Sequence, residues 1–251
     1  MENLNKLGIN TICVHVGEVK DEQFKGAISP IYPSTSYAFD EVDIKRYPRY
    51  FNTPNQEFLR KKIAVLEHTE DALIFSSGMA AISAALFAFL KTGDHVIIQQ
   101  VIYGGTFNFI ANEFDKFGIE YSFTESDKIE DFEPLIRPNT KVMYIETPSN
   151  PLLGITDIKA IAELSKQHQI ITMIDNTFAS PINQNPFDFG INIILHSATK
   201  YMGGHSDISA GAIAATKKHI DLIWKTAINY GGNLSDQTVW LLERSLKTMN
   251  L

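Results

Sequence analysis

From residue 59 onward, short apolar runs alternate with longer segments of helical periodicity, and this alternation restricts the fold more than any other feature of the chain. Apolar runs separated by helix-length segments cannot pair as hairpins. They read as βαβ units that build an α/β fold: a mainly parallel central sheet with helices on both faces. The runs fall at 72–75, 95–100, 141–146, 170–174, 192–196 and 210–215, several of them apolar on both faces. Between two of them Asp157 caps a segment in which Ile158, Ile161, Ala162 and Leu164 share one face before His168. A last helical pattern, 237–250, places Val239, Leu242, Leu246 and Met249 near one face and reaches Leu251 with neither a glycine cap nor a proline stop.

Residues 1–58 differ. Pro30, Pro33, Pro48 and Pro54 interrupt any long helix or central strand, so this part is expected to be an extended arm. The remaining residues, 59–251, suffice for one large α/β domain.

Composition narrows the class. The chain is 44% hydrophobic and 20% charged, ordinary globular usage. A net charge of −7 and the lack of a long basic run argue against a nucleic-acid partner. A single cysteine, Cys13, excludes an intramolecular disulfide and a multi-cysteine metal cluster, and fits a reducing cytoplasm; no metal is expected. Residues 1–17 lack the pattern of a signal peptide, and the most apolar run, 80–90, is too short to span a bilayer. A soluble protein is expected.

The chemistry gathers where strands end. Ser197-Ala198-Thr199-Lys200 follows the run 192–196 and so emerges at a strand's carboxyl end, where open α/β sheets place ligands. Two hydroxyls beside a lysine can hold a phosphate while the amine attacks an aldehyde. Asp175 closes the run 170–174 and is followed by Asn176-Thr177-Phe178; a carboxylate there can face a ring nitrogen and keep it protonated. Ser76-Ser77-Gly78-Met79 lies between a strand and an Ala-rich helix, offering free N–H groups to an anion. In Tyr103-Gly104-Gly105-Thr106 a tyrosine beside paired glycines can lie on a planar ring. Glu146-Thr147-Pro148-Ser149-Asn150-Pro151 fixes a loop from which the Asn150 amide reaches a cleft, and Tyr47-Pro48-Arg49 offers a phenol and a guanidinium suited to phosphate.

Taken singly, each has an ordinary reading: a solvated lysine, a loop-capping aspartate, a serine N-cap, a packed tyrosine, an Asn-Pro turn. Their agreement at successive strand ends points to one cofactor site. Nucleotide and zinc motifs are missing, and His205 is read as holding the loop after Lys200.

With these motifs in place, the chain resembles the Cys/Met-metabolism enzymes dependent on pyridoxal 5′-phosphate (PLP), the transsulfuration group that includes cystathionine γ-synthase, the cystathionine lyases and methionine γ-lyase. The resemblance also covers Gly204-His205-Ser206-Asp207 and runs from the arm to the last residue. It implies the PLP-dependent transferase-like fold (fold type I), with 59–251 as the cofactor-binding large domain and 1–58 as an arm that completes a neighbouring subunit's site. It further implies Lys200 as Schiff-base partner and general base, Asp175 on the pyridine nitrogen, Tyr103 stacked on the ring with a part in proton transfer, and Gly78, Met79, Ser197 and Thr199 around the phosphate. Thr177 joins the cofactor-binding set, Asn150 contacts the ring hydroxyl or substrate carboxylate, and Tyr47 and Arg49 reach the phosphate of another subunit, so a homodimer or homotetramer is expected.

Two departures stand out. Members of the group continue into a smaller C-terminal domain that binds the substrate carboxylate, so this chain is expected to stop before it. Ser245 and Asp236 stand where glycine and proline are usual. The implied activity is elimination or replacement at the γ or β carbon of a cystathionine or O-acyl-homoserine type substrate, with Gly105 leaning toward a γ-synthase or γ-lyase over a methionine γ-lyase, and a methionine γ-lyase or cystathionine β-lyase kept as an alternative. A catalytically silent, truncated PLP-binding or oligomerisation fragment is the alternative from a different class, and a PLP-independent Schiff-base lyase a third.

Overall fold

The computed structural model describes residues 7–40 and 42–251; the first six residues of the 1–17 segment read above lie outside it. Among the described residues the strands are β1 (Asp71–Phe75), β2 (His95–Ile98), β3 (Glu120–Phe123), β4 (Thr140–Glu146), β5 (Ile171–Asp175), β6 (Ile193–His196) and β7 (Gly211–Ala215). The α-helices are α1 (Ile9–His15), α2 (Pro54–Leu66), α3 (Gly78–Phe89), α4 (Gly104–Glu113), α5 (Ile158–Gln167), α6 (Ser180–Asn183), α7 (Lys217–Tyr230) and α8 (Asp236–Leu246). None is long and apolar enough to cross a membrane.

One sheet takes the order β1-β7-β6-β5-β4-β2-β3. The pairs β2–β3, β2–β4, β4–β5 and β5–β6 are parallel, as the βαβ reading requires. β7 is the exception, antiparallel to both β6 and β1. The 197–210 connection carries no helix to return the chain to the sheet's starting edge, so β7 runs back beside β6. Because β1 and β6 both oppose β7, they are parallel to each other, and the carboxyl ends of β1, β2, β4, β5 and β6 share one edge.

The period-two alternation of the strands builds two cores. Val142 and Tyr144 of β4 belong to the cluster that includes Leu86 of α3, Ile110 of α4 and Ile223 of α7, whereas Met143 and Ile145 belong to the cluster that includes Leu59 of α2, Ile161 of α5 and Leu242 of α8. Helices therefore cover both faces, and Asp157 caps α5 by accepting the Ala160 amide at 3.0 Å.

Three sequence expectations need correction. β3 went unanticipated because it is a four-residue edge strand, exposed or only half-buried along its length, and so lacks an apolar run. The last helix ends at Leu246, short of the expected 250. The arm is not uniformly extended: α1 buries Cys13 against α2, where the buried Lys62 ammonium donates to the Cys13 carbonyl at 2.8 Å. Pro54 starts α2 instead of breaking it, because a missing N–H is harmless at the first helical position, and Thr53 and Gln56 close a reciprocal capping box there. Between these helices Phe24, Ile28, Phe39 and Ile44 are exposed.

Candidate active site

The shared edge of carboxyl ends brings most of the expected residues together. After β1, Ser77 caps α3, its Oγ accepting the Ala80 amide at 3.1 Å and its carbonyl the Ala81 amide at 3.2 Å. The Gly78 and Met79 amides, earlier in that turn, have no acceptor among the described residues, and the helix end leaves them facing outward as donors. Gly78 has a packing reason: a Cβ there would stand 2.9 Å from Ser197 Cβ and 3.1 Å from Ser197 Oγ. The start of α3 thus lies directly against the turn that follows β6.

That turn is tied down on both sides. The Ser197 amide donates to Thr177 Oγ1 at 2.7 Å, and the Thr199 hydroxyl donates to the Ala210 carbonyl at 3.1 Å while accepting the Ala210 amide at 3.0 Å. Thr199 is therefore already engaged with the residue before β7, whereas Ser197 Oγ keeps its hydrogen-bonding capacity. Lys200 follows, exposed, with its amide on the Ser197 carbonyl at 3.0 Å. His205 donates at Nδ1 to the Gly203 carbonyl (2.8 Å), with Ser245 Oγ 3.2 Å from the same nitrogen, a loop-holding position as expected.

At the next two strand ends, two carboxylates sit side by side. Glu146 of β4 and Asp175 of β5 are register partners, and period-two alternation puts both on the α3/α4/α7 face. Both are buried, at 4% and 6% exposure. Burial, reinforced by Asp175, pushes the Glu146 carboxyl up to about 7, against the pull of two backbone donors. Burial likewise raises Asp175 above the usual carboxylate range, opposed by Thr177, whose amide donates to Oδ1 at 3.0 Å, and by His196. A buried carboxylate without a cationic partner is complementary to a cation brought by a ligand. Beneath the pair, the buried hydroxyls of Tyr144 and Thr106 interact with each other but form no hydrogen bond of ordinary geometry.

Tyr103 opens α4 and is 45% exposed, its ring lying over Gly105, where a Cβ would meet Tyr103 Cε1 at 2.4 Å. Its amide donates to Glu146 Oε2 at 2.7 Å, and the Asn150 amide donates to Glu146 Oε1 at 2.8 Å. Glu146 is the site residue that sequence reading passed over. A charged residue closing an apolar run one strand away from Asp175 was the available signal. On the opposite face, His196 and Asn176 converge on the fully buried Glu67, at 2.5 and 3.0 Å, and fix the turn after β5.

Among the described residues, Tyr47 and Arg49 make no hydrogen bond to this group. Arg49 donates to the Ile228 carbonyl at the end of α7 and lies near the Tyr47 and Tyr50 rings.

The model of the Cys/Met metabolism PLP-dependent enzyme family matches residues 10–251. The chain is 41% identical over 248 residues to cystathionine beta-lyase MetC of Bacillus subtilis, covering 97% of this chain and 63% of that protein. It is 40% identical to the cystathionine gamma-lyase of the same organism, covering 96% and 64%. The crystal structure of metB from Corynebacterium glutamicum superposes with a TM-score of 0.94 at 35% identity, covering 98% of this chain and 65% of that one. The chain thus spans under two thirds of the length of these relatives. Its mainly parallel sheet with helices on both faces is the fold type I architecture anticipated from the sequence, and the chain belongs to the Cys/Met metabolism PLP-dependent enzyme family.

Proposed function

We propose that residues 59–251 form the cofactor-binding domain of an enzyme of sulfur amino-acid metabolism, acting by elimination or replacement at the γ or β carbon of cystathionine or an O-acyl-homoserine. The observation that carries this reading is Asp175, a buried carboxylate at the end of β5 with its charge unneutralised by any lysine or arginine bridge among the described residues. The residues present fit PLP: an acid for the ring nitrogen, two unspent helix N–H groups for a phosphate, and a glycine that lets them approach Ser197. When bound, PLP supplies an electron sink for a carbanion on the substrate.

In this reading Asp175 holds a proton at the ring nitrogen, with Thr177 orienting its carboxylate. The Gly78 and Met79 amides bind the phosphate with the Ser197 and Thr199 hydroxyls, Thr199 by rotating its proton away from Ala210. Tyr103 covers one face of the ring and excludes water from it. Asn150 contacts the ring hydroxyl or the substrate carboxylate. Lys200 Nζ anchors the cofactor, then takes the proton from the substrate Cα, with Tyr103 Oη as a second proton carrier.

Tyr47 and Arg49, in the arm 1–58, are assigned to the phosphate of a second copy, which makes the functional unit a homodimer or homotetramer. The lack of a hydrogen bond from either to the strand-end group and the exposed apolar residues of the arm support this. A reducing cytoplasm suits a chain whose one thiol, Cys13, is buried and unpaired. The names of the relatives favour cystathionine as substrate.

The test is PLP titration of the purified chain, followed by borohydride. A visible band that borohydride abolishes while fixing the cofactor to the wild type, and that Lys200→Ala lacks, is expected; a wild type that takes up no fixable cofactor refutes the reading. Release of 2-oxo acid from cystathionine, against condensation of an O-acyl-homoserine with cysteine, then separates elimination from replacement.

A further inference from the structure

The buried Glu146 carboxylate spends both its oxygens on the backbone. Oε2 accepts the Tyr103 amide at 2.7 Å and Oε1 the Asn150 amide at 2.8 Å. These amides belong to two separate loops, one after β2 and one after β4. Glu146 is itself immobilised, because the fully buried Gln99 side chain accepts its amide at 3.1 Å and donates to its carbonyl at 2.9 Å. Gln99 also accepts the Thr156 hydroxyl at 3.0 Å, so the anchor reaches the far side of the second loop.

The loop into α4 is also held by Gln99, whose side chain donates to the Val101 carbonyl at 3.1 Å, and by the buried Ile102, but the bond at Tyr103 itself comes from Glu146. Tyr103 makes no side-chain cap, the residue is 45% exposed, and its ring lies over Gly105, which offers no side chain to set the ring angle. The backbone of Tyr103 therefore determines where the ring goes, and Glu146 holds that backbone. Hydrogen bonds from neutral donors to a carboxylate are the stronger kind, and in a buried site they are not shared with water.

We propose that Glu146 is a positioning residue whose carboxylate clasps the Tyr103 and Asn150 backbones together and thereby sets the ring platform and the amide that face the cofactor. What the two loops face rests on the function proposed above; the clasp itself does not. Retaining an acid beside Asp175, where two buried carboxylates repel, is otherwise unexplained, since Gln fills the same volume without charge.

The test has two arms. In the cofactor-free chain, amide hydrogen exchange is followed at Tyr103 and Asn150, with Val142, Met143, Tyr144 and Ile145 of the same strand as internal reference. Glu146→Gln retains one acceptor and turns an NH₂ toward the other donor, so one of the two amides should exchange at least about tenfold faster relative to the reference; Glu146→Asp, one methylene shorter, should loosen both. In the PLP-loaded chain, Glu146→Gln should keep borohydride-fixable cofactor but lose much of the visible circular dichroism that an oriented aromatic neighbour induces, and Glu146→Asp, which frees both loops, should lose at least as much. Unchanged exchange at both amides in both variants overturns the clasp. Faster exchange with unchanged dichroism overturns the positioning role. A wild type without a visible band refutes the proposed function, and the exchange arm still decides the clasp.

Discussion

Replacing Gly78 with alanine places a methyl group 2.9 Å from Ser197 Cβ, 3.0 Å from its Cα and 3.1 Å from its Oγ. Two of these three atoms cannot rotate away, so the start of α3 and the turn after β6 must separate by roughly half an ångström to restore ordinary contact near 3.5 Å. Overpacking of this kind costs about 1–3 kcal/mol. For a domain of this size each kcal/mol lowers Tm by about 2–4 °C, which gives a fall of about 2–12 °C. The same separation moves Ser197 Oγ away from the Gly78 and Met79 amides. On the proposed assignment of these groups to the phosphate, loss of a single charge-assisted hydrogen bond, worth about 1.5–3 kcal/mol, should weaken PLP binding about 10- to 150-fold. Gly104→Ala is the control, since a Cβ there meets nothing within 4 Å and the residue opens a helix. Its expected effect is a gain of up to about 1 kcal/mol. Thermal melts of both variants, with PLP titrated by absorbance, test the argument. A Gly78→Ala chain that melts and binds as the wild type, or a Gly104→Ala chain equally impaired, would refute it.

Three further outcomes follow from buried polar groups. Tyr144→Phe removes a buried hydroxyl that forms no hydrogen bond of ordinary geometry and should raise stability by about 1 kcal/mol in urea unfolding, with no change in m-value; a loss of stability would mean that the Tyr144 and Thr106 hydroxyls satisfy each other. Glu146, raised from 4.5 to about 7, binds a proton more tightly folded than unfolded, so its contribution is fully present below about pH 4.5 and is lost as pH rises to 7. Wild-type stability minus that of Glu146→Gln should fall by about 3 kcal/mol between pH 4.5 and 8, and a constant difference would sink the assignment. His95 has the opposite sign. Held neutral between Thr140 Oγ1 (2.8 Å) and Ser122 Oγ (3.0 Å), it is lowered by burial from 6.5 to about 4, so wild-type stability minus that of His95→Gln should be largest above pH 6.5 and drop by about 3 kcal/mol on the way down to pH 4.

Much of the fold was legible because burial on both faces leaves a mark in the chain itself. The strands 141–146, 170–174 and 192–196 are continuous apolar runs, and each was placed to within about two residues of β4, β5 and β6. The position of Lys200 and Asp175 at strand ends followed from those runs alone, and that of Ser77 from the run 72–75. What escaped the sequence is what depends on a partner. β3 is a strand because β2 offers it hydrogen bonds, not because its own side chains demand burial. The reversal of β7 depends on the 197–210 connection staying free of helix. Pro54 reads as a breaker until Thr53 and Gln56 cap the helix it begins.

The site divides along the same line. The sequence determines which chemical groups reach the edge: an amine, two hydroxyls, a tyrosine, a carboxylate and free amides, each set by a strand ending where its apolar run ends. Only the tertiary structure decides that Glu146 stands beside Asp175 with its oxygens on Tyr103 and Asn150, because register between β4 and β5 is a property of two strands and not of either one. Proximity between residues far apart in the chain, and the desolvation that comes with it, is what raises those two carboxyls and fixes the loops around them.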